Sequence, residues 1–550
     1  MKKTLSIFIC MLICISCKKD FLTEKALSFY TSSNAFVTYS DFNTAVNDMY
    51  RLVRSEFYTS DQFGPFDYLY STDLVFDGQP SSQRHTNLSN TFYPSGTIPS
   101  SHWLSLYQLI ADANAIIDLS GQSQLTAAQK TLVIAKAKFF RAFGYRTLAY
   151  LFGGVPLSLN QVTAPKTNYT RATRAQVYDQ CIADLKDAIA GLPAINAVVD
   201  GEVNVQAATH LLAEVYLAAG QYQNSVDAAS TVINSNLVGL MTSRFGSKAK
   251  DTTGNVYWDL FQVNNQNRKS GNTEGLWVVQ METDVPGGGS LSTAMTGYLL
   301  ERHHAPYVGS LISTNGNNDP FLWPADNNSG GRGIGWAIST RHFSDEIWQS
   351  DFNNDIRNAN VNFVRIFTSN NPLSPYFGQK INVNNPPPGI TVPSRGFYAY
   401  QAKCSPPGSH PANLIDPTTG LLKSTAGVTY TDQYMFRLAE TYLVRAEAYL
   451  GLGDKTNAAA DINVVRARSK ASPVLAANVN IDYILDERMR ELGVEEKRML
   501  TLTRLGLVYD RVKRFNTYYN DIASKYNLWP IPAGDIEANK DGSLAQNPGY

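Results

Sequence analysis

A short helical pattern occurs twice in this chain, at two places far apart in the sequence. Residues 213–217 read AEVYL and residues 446–450 read AEAYL, and a glycine follows each at the same distance, Gly220 and Gly453. Alanine allows two helices to approach closely, the aromatic residue can pack one turn further on, and the glycine can end the helix. This repeat constrains the fold strongly, because both segments must occupy equivalent places in a repeated helical structure.

The sequence around the second copy indicates what the repeated unit is. Apolar residues recur at three- and four-residue steps from Tyr434 onward, which predicts an α-helix with one buried face. A second apolar stripe follows Asp454, which can cap the next helix. Such a pair is typical of tetratricopeptide-type hairpins, with two unrelated amphipathic hairpins as the alternative, and a scaffold of this kind does not define a function. The stripes comprise Met435, Leu438, Tyr442, Ala446, Tyr449, Ala458, Ile462 and Val465.

The rest of the chain divides into helical and irregular stretches. Helical periods extend over about 40–235 and 430–515, whereas the stretch of about 240–430 is rich in Gly, Asn and Pro and has no sustained period. Within it, the short apolar segments Leu276–Met281 and Phe363–Phe367 are predicted strands. We therefore predict a mainly α fold, an α/α superhelical scaffold of helix pairs that carries one long loop-rich insert. Such loops on a regular scaffold are where binding residues usually lie.

The first residues have the pattern of an export signal. Two lysines precede an apolar run over residues 5–15, and the small Ser16 then comes directly before Cys17. The run is shorter than the roughly 20 residues that a membrane-spanning helix needs. A cysteine after a small residue resembles a bacterial lipobox, in which the cysteine is lipidated after cleavage. We predict a signal peptide over residues 1–16 and a lipid on Cys17, with an ordinary cleaved signal as the alternative.

Charge and cysteine content narrow the function classes. Lys and Arg together number 47, as do Asp and Glu, so no basic excess favours nucleic acid or an anionic membrane surface. Beyond the signal peptide and Cys17, the remaining thiols are Cys181 and Cys404. Two thiols are too few for a disulfide framework or a cysteine-ligated metal site, and a single bridge between them is left open. We therefore expect no nucleic-acid partner.

The densest group of carboxylates lacks the features of an active site. A glycoside hydrolase needs two carboxylates at a set separation across the sugar, whereas these alternate with Arg and Lys along one predicted helix. Opposite charges at such spacing are ordinary surface ion pairs, so we predict no enzymatic activity. The carboxylates are Asp486, Glu487, Glu491, Glu495 and Glu496.

The metal motifs are incomplete as well. His303 and His304 lack the HExxH spacing of a zinc helix, so we interpret them as two loop histidines. Asp326, Asn328 and Gly330 resemble a calcium-binding loop only in part, because no bidentate Glu follows at the expected place. We predict no cofactor and no metal, and leave a structural calcium open.

Further segments occur in the order of one known family. Besides Ser16-Cys17 and the two hairpin repeats, they are KFFRAFGYRTLAYLFGGVPL at 138–157, Leu192-Pro193, DERMRELGVEEKRMLTLTRLG at 486–506, LWPIP at 528–532 and QNPGY at 546–550. Together they resemble the SusD/RagB-like outer-membrane lipoproteins of Bacteroidetes, which serve in nutrient uptake and polysaccharide utilisation. Each segment alone would be weak, but they span nearly the whole chain.

The resemblance implies a single domain over residues 17–550, held on the outer face of the outer membrane by a lipid on Cys17. Proteins of this family are non-enzymatic, capture oligosaccharides and act as lids on a SusC-like TonB-dependent β-barrel transporter. The resemblance also implies that the helical scaffold faces this partner, and that loops of the insert and of residues 58–101 form the ligand surface. The RagB branch handles peptides, so a peptide-binding lipoprotein remains an alternative. A helical scaffold that binds a protein partner and no small ligand is another.

Loop aromatics and polar side chains are the candidate ligand contacts. The flat C–H faces of sugar rings pack on aromatic rings, and sugar hydroxyls need amide, carboxylate or guanidinium partners. Both types occur in the irregular stretches, where no helical phase assigns them to packing. The candidates are Phe92 and Tyr93 in the first loop region, and Tyr298, Trp323, Asn327, Arg332 and Trp336 in the insert.

Overall fold

The computed structural model describes residues 35–61, 63–79, 85–311, 319–323, 326, 330–405, 408 and 410–550. The predicted signal peptide, Cys17 and Asn327 lie outside the described residues. Helices dominate the described chain, and its strands are short, so the predicted mainly α fold is confirmed. None of the helices in the described part combines the length and the apolar character that a membrane crossing requires.

Long helices form the first half of the scaffold. They are α1 Tyr39–Phe57, α2 Leu88–Thr91, α3 Thr97–Ser120, α4 Ala127–Phe152, α5 Arg174–Gly191, α6 Val205–Ala218 and α7 Tyr222–Ile233. Thr126 and Thr173 begin α4 and α5 with capping boxes, which satisfy backbone N–H groups that a helix start leaves unpaired. Each consecutive pair from α3 to α7 packs together, and Cys181 is a buried free thiol within this packing.

The insert contains short helices and antiparallel strand pairs. Its elements, with β1 from the first loop region, are β1 Val75–Asp77, α8 Val256–Asp259, β2 Gly275–Val279, α9 Leu300–His304, β3 Ala337–Ser339, α10 Arg341–Ser344, β4 Phe363–Val364, β5 Ile366–Thr368, β6 Lys380–Asn382, β7 Tyr400–Gln401 and β8 Gln433–Arg437. β1 pairs with β3, β2 with β8, β4 with β7 and β5 with β6. The predicted strand at Leu276–Met281 is therefore present as β2, and Phe363–Phe367 contains β4 and the start of β5.

The second copy of the repeat continues the stack that the first copy begins. The C-terminal helices are α11 Leu438–Gly451, α12 Lys455–Arg468, α13 Ile481–Glu491, α14 Arg498–Leu505, α15 Val508–Phe515 and α16 Ala533–Ala538. α11 packs against α7 and against its own partner α12, although the whole insert separates α7 from α11 in the sequence. The scaffold is thus continuous in space and interrupted only along the chain.

The turns of the two repeats match in detail. Gly220 and Gly453 both have positive φ, 71° and 78°, a conformation that glycine adopts without steric cost. The residue after each glycine donates its backbone N–H to the carbonyl of the repeat tyrosine, at 2.9 Å in both copies. The prediction of tetratricopeptide-like helix pairs is confirmed.

The helix predicted from Tyr434 begins only at Leu438, so this boundary was wrong. The residues before it form β8, in which Gln433 pairs with Val279 and Arg437 with Gly275. Met435 therefore lies on a strand, and its helical spacing to Leu438 is coincidental. Residues 433–437 form a strand because they pair with β2. The spacing of apolar residues within a short segment cannot reveal a pairing partner that is distant in the sequence.

The interpretation of the acidic group near the C-terminus as surface ion pairs was wrong for Glu487, Glu491 and Glu496. Glu487 and Glu491 are 0% exposed and Glu496 is 6% exposed. Their arginine partners come largely from other elements, since Glu491 accepts hydrogen bonds from Arg357 and Arg437. The spacing of charged residues along a helix does not show which face of the helix other elements cover. Once such carboxylates are buried, they are stable only when cations pair with them.

Arg437 is at the centre of this buried network. Its Nη1 donates to Glu274 Oε1 at 2.8 Å and to Glu491 Oε1 at 2.5 Å, and its Nε donates to Glu495 Oε1 at 2.6 Å. Burial would raise the pKa of Glu491, but Arg468, Arg437 and further cations hold it well below its usual range. The network ties the start of β2 and the end of β8 to α13, and so fixes the base of the insert to the scaffold.

Candidate ligand-binding site

Two aromatic rings from loops of the insert form the centre of the candidate site. The centroids of Tyr307 and Trp323 lie 4.6 Å apart with an interplanar angle of 69°, and both side chains are partly exposed. Gly309 makes this approach possible, because a Cβ at this position would lie 2.4 Å from Cβ of Trp323. Tyr307 is held from the other side, where its backbone N–H donates to the carbonyl of Arg395 at 2.7 Å. The geometry is that of a fixed edge-to-face pair.

Two guanidinium groups flank this aromatic pair. Cζ of Arg332 lies 5.5 Å from the ring of Trp323, and Cζ of Arg395 lies 5.9 Å from the ring of Tyr307, both in the range of cation–π contacts. Nη1 of Arg332 also donates to the carbonyl of Lys423 at 3.1 Å. The site therefore offers aromatic faces beside planar donors, which is the combination that packs on sugar C–H groups and donates to hydroxyl oxygens.

The site carries positive charge that is only partly offset. Burial lowers the pKa of Arg332, and it also lowers that of Arg302, which the charge of Arg332 lowers further. Both remain protonated, because an arginine does not lose its proton in a protein. The buried carboxylate of Glu301 accepts a hydrogen bond from the backbone N–H of Arg332 at 2.9 Å and lies 2.6 Å from Nε2 of His410.

The structure places the predicted insert residues in different environments. Trp323 and Arg332 are together at the aromatic pair. Tyr298 is 1% exposed and packs between Phe66, with ring centroids 5.5 Å apart, and Tyr58 at 5.2 Å, so it has no exposed ring face.

Trp336 is partly exposed, and its ring lies edge-to-face on His303 at 4.9 Å. Its indole N–H has no hydrogen-bond partner among the described residues. Trp336 therefore remains a candidate, but it is not part of the aromatic pair.

The candidates of the first loop region lie against a different part of the protein. Phe92 is 1% exposed and packs on Trp529, with ring centroids 5.2 Å apart. Tyr93 is 43% exposed, but the residue after it bonds to the C-terminal segment, through the N–H of Ala533 to the carbonyl of Pro94 at 2.8 Å. Of the two, only Tyr93 presents a ring to a ligand in this structure.

The interpretation of His303 and His304 as loop residues was wrong. Both lie in α9 and are buried. Nδ1 of His304 lies 2.9 Å from the carbonyl of Ala337, and its Nε2 accepts the N–H of Gln401 at 3.0 Å. Burial lowers the pKa of His304 to about 4, so it is a neutral structural residue that joins α9 to the strands.

Three residues of the site were missed from the sequence: Tyr307, Arg302 and Arg395. The signal for Tyr307 was available, because it is an aromatic residue directly after a proline in the insert. For the two arginines no such signal exists, since only the folded chain brings residues 302, 332 and 395 together.

One group of side chains in the described part of the chain has the composition of a metal site. Ligand atoms of His210, Glu214 and Glu440 lie within 4.8 Å of one another between α6 and α11. However, Arg488 Nη2 donates to Glu440 at 2.6 Å and Arg146 lies 3.8 Å from Glu214. These guanidinium groups already offset the carboxylates, so we assign no ion to the group. The sequence leaves a structural calcium near Asp326 open, and no observation in the structure tests it.

A helical-repeat scaffold that presents an aromatic and arginine-lined surface on a long insert defines a class of ligand-binding protein. A family model described as "Starch-binding associating with outer membrane" matches residues 19–217, and one described as "SusD family" matches residues 340–550. The chain belongs to the SusD-like family.

Similar proteins support this assignment over the whole length. SusD-like protein P2 of Formosa agariphila is 23% identical over 573 residues, 100% of both chains. Starch-binding protein SusD of Bacteroides thetaiotaomicron is 36% identical over 140 residues, 23% of this chain and 24% of that protein. A solved structure titled "Laminarin binding SusD-like protein" has a TM-score of 0.66 and 22% identity, and covers 94% of this chain and 100% of its own.

Proposed function

We propose that this protein binds oligosaccharides and delivers them to a SusC-like TonB-dependent outer-membrane transporter. The observation that carries the binding proposal is the partly exposed pair of Tyr307 and Trp323, flanked by Arg332 and Arg395. Aromatic faces bury the apolar side of a sugar, and guanidinium groups donate to its hydroxyls. Two relatives, a starch-binding protein and a laminarin-binding protein, support a carbohydrate ligand.

The family and the sequence support the proposed location and partner. A lipid on Cys17 would hold the protein at the outer membrane. This location agrees with the family model that matches residues 19–217, which is described as associating with the outer membrane. The scaffold side carries a cleft of about 330 Å³ between α3 and the segment after α4. Leu104 and Val162 at this cleft are 70% and 50% exposed, which supports a protein contact on this side of the molecule.

We further propose that the protein does not hydrolyse its ligand. The densest carboxylates of the chain are engaged: Glu487 accepts from Arg466 and Arg490 at 2.8 Å each, and Glu496 accepts from Arg488 at 2.6 Å. A general acid must hold a proton near neutral pH. Burial raises the pKa of Glu487, but the neighbouring arginines outweigh this effect and lower the pKa to about 2, so the carboxylate is ionised at neutral pH.

We expect Trp323→Ala to weaken oligosaccharide binding by roughly 30-fold, because a buried aromatic contact is worth about 2 kcal/mol. Isothermal titration of the purified mature protein against a panel of oligosaccharides and peptides would measure this. The matched control is Phe377→Ala, which removes an aromatic residue of the insert that is 57% exposed and outside the site.

Unchanged affinity of Trp323→Ala for a sugar that the parent protein binds would place the site elsewhere. A heat of binding that is observed with peptides but with no oligosaccharide would contradict the carbohydrate proposal and favour a peptide ligand.

A further inference from the structure

Arg302 has an unusual position beside the candidate site. Its side chain is partly buried, yet its guanidinium group forms no hydrogen bond or ion pair with the described residues. Burial lowers its pKa and the nearby charge of Arg332 lowers it further, whereas the buried carboxylate of Glu301 acts in the opposite direction. A partly desolvated cation that lies near another cation is energetically unfavourable unless an anion pairs with it.

Arg302 and Arg332 line one place on the surface. Both side chains approach Gly427: a Cβ there would lie 3.2 Å from Cβ of Arg332 and 3.5 Å from Nη1 of Arg302. Nε of Arg332 is buried without a hydrogen-bond partner among the described residues. The two side chains therefore meet at Gly427, and the guanidinium group of Arg302 there has no hydrogen-bond partner among the described residues.

The charge of this region is not neutralised by its own carboxylates. Arg302 and Arg332 lie near Glu301, which is 1% exposed and already bonded to the backbone of Arg332 and to His410. Asp284, which contributes to the raised pKa of Tyr430, accepts hydrogen bonds from residues 290 and 291. Among the described residues, the guanidinium groups of Arg302 and Arg332 thus share the buried carboxylate of Glu301.

We infer that the ligand of this site is an oligosaccharide that carries negative charge, as a carboxylate or a sulfate group. This inference rests on the proposed carbohydrate-binding function and adds the class of sugar. The uncharged ring packs on Trp323 and Tyr307, and the anionic group sits between Arg302 and Arg332. Charge-assisted hydrogen bonds from two guanidinium groups are stronger than bonds to a hydroxyl and suit carboxylate and sulfate oxygens.

The test compares each charged sugar with its own uncharged form. An oligogalacturonate is titrated beside its methyl ester, and a sulfated galactan oligosaccharide beside its desulfated form. We expect at least one charged form to bind about tenfold tighter than its neutral counterpart, and the preference to shrink as ionic strength rises. A preference within the oligogalacturonate pair would indicate a carboxylate ligand, and a preference within the galactan pair would indicate a sulfate ligand.

Two variants assign the preference to the site. Arg302→Gln is the more direct one, because the guanidinium group that it removes forms no hydrogen bond or ion pair with the described residues, and it should remove most of the preference for the charged form. Arg341→Gln is the matched control, since this arginine is 82% exposed and outside the site, and it should change neither affinity.

Equal affinity for charged and neutral forms would overturn the inference, and so would a preference that survives both Arg302→Gln and Arg332→Gln. If neutral sugars bind equally well and depend on Trp323, the proposed function stands and this inference falls. If no sugar of either kind binds, both fall.

Discussion

We expect Arg437→Ala to lower the free energy of unfolding by about 3 to 5 kcal/mol, the range for removing one partner from a buried ion pair. Arg437 is 0% exposed, and it donates to Glu274, Glu491 and Glu495 at 2.5 to 2.8 Å. Its loss leaves three carboxylates in a region of low dielectric constant with too few cations. Chemical denaturation of the purified mature protein, followed by circular dichroism, measures the change.

The control for this substitution is Arg341→Ala. That arginine is 82% exposed and lies 3.5 Å from Glu346, so its pair is worth at most about 1 kcal/mol. If Arg437→Ala and Arg341→Ala shift the denaturation midpoint equally, the buried network does not stabilise the base of the insert as we describe.

We expect Cys17→Ala to move the protein from the membrane fraction to the soluble fraction of the cell. The reason is that an acyl chain contributes about 0.8 kcal/mol for each buried CH₂ group, and the variant has no thiol at residue 17 to carry that chain. Fractionation with immunoblotting, together with labelling by a radioactive fatty acid, measures both location and lipid.

Cys14→Ala is the control, because it removes another cysteine of the same segment that follows a large residue and should keep label and location. A Cys17→Ala protein that stays with the outer membrane and takes up label would contradict the lipid anchor. A variant that loses the label but stays would instead indicate retention by a protein partner.

The helical scaffold was predictable because its information is local. The spacing of apolar residues and the glycine after each repeat act within one or two helical turns, and these features match the structure at Gly220 and Gly453. The start of α11 was not predictable in the same way, because β2 supplies the partner that turns Tyr434 into a strand residue. The burial of the charged residues was not predictable from the sequence either. Glu491 is paired with Arg357 and Arg437, and both of these arginines lie on other elements.

The candidate site was predictable only by residue type. Trp323 and Arg332 were chosen as an aromatic residue and a donor in the insert, and the structure brings them together. Tyr298 was chosen on the same grounds and is buried, because a loop has no period that separates inward from outward side chains. The role of these residues in binding stays a prediction until the titrations described above are made.

The pairing of β2 with β8 brings the beginning and the end of most of the insert side by side, where Gly275 lies opposite Arg437. Closing a longer loop between two adjacent points costs little additional free energy, since each doubling in length adds only about 0.6 kcal/mol. Insertions and deletions within the loops can therefore accumulate during evolution without displacing α7 from α11. The helical scaffold can remain constant while the loops of the insert diverge from one descendant to the next.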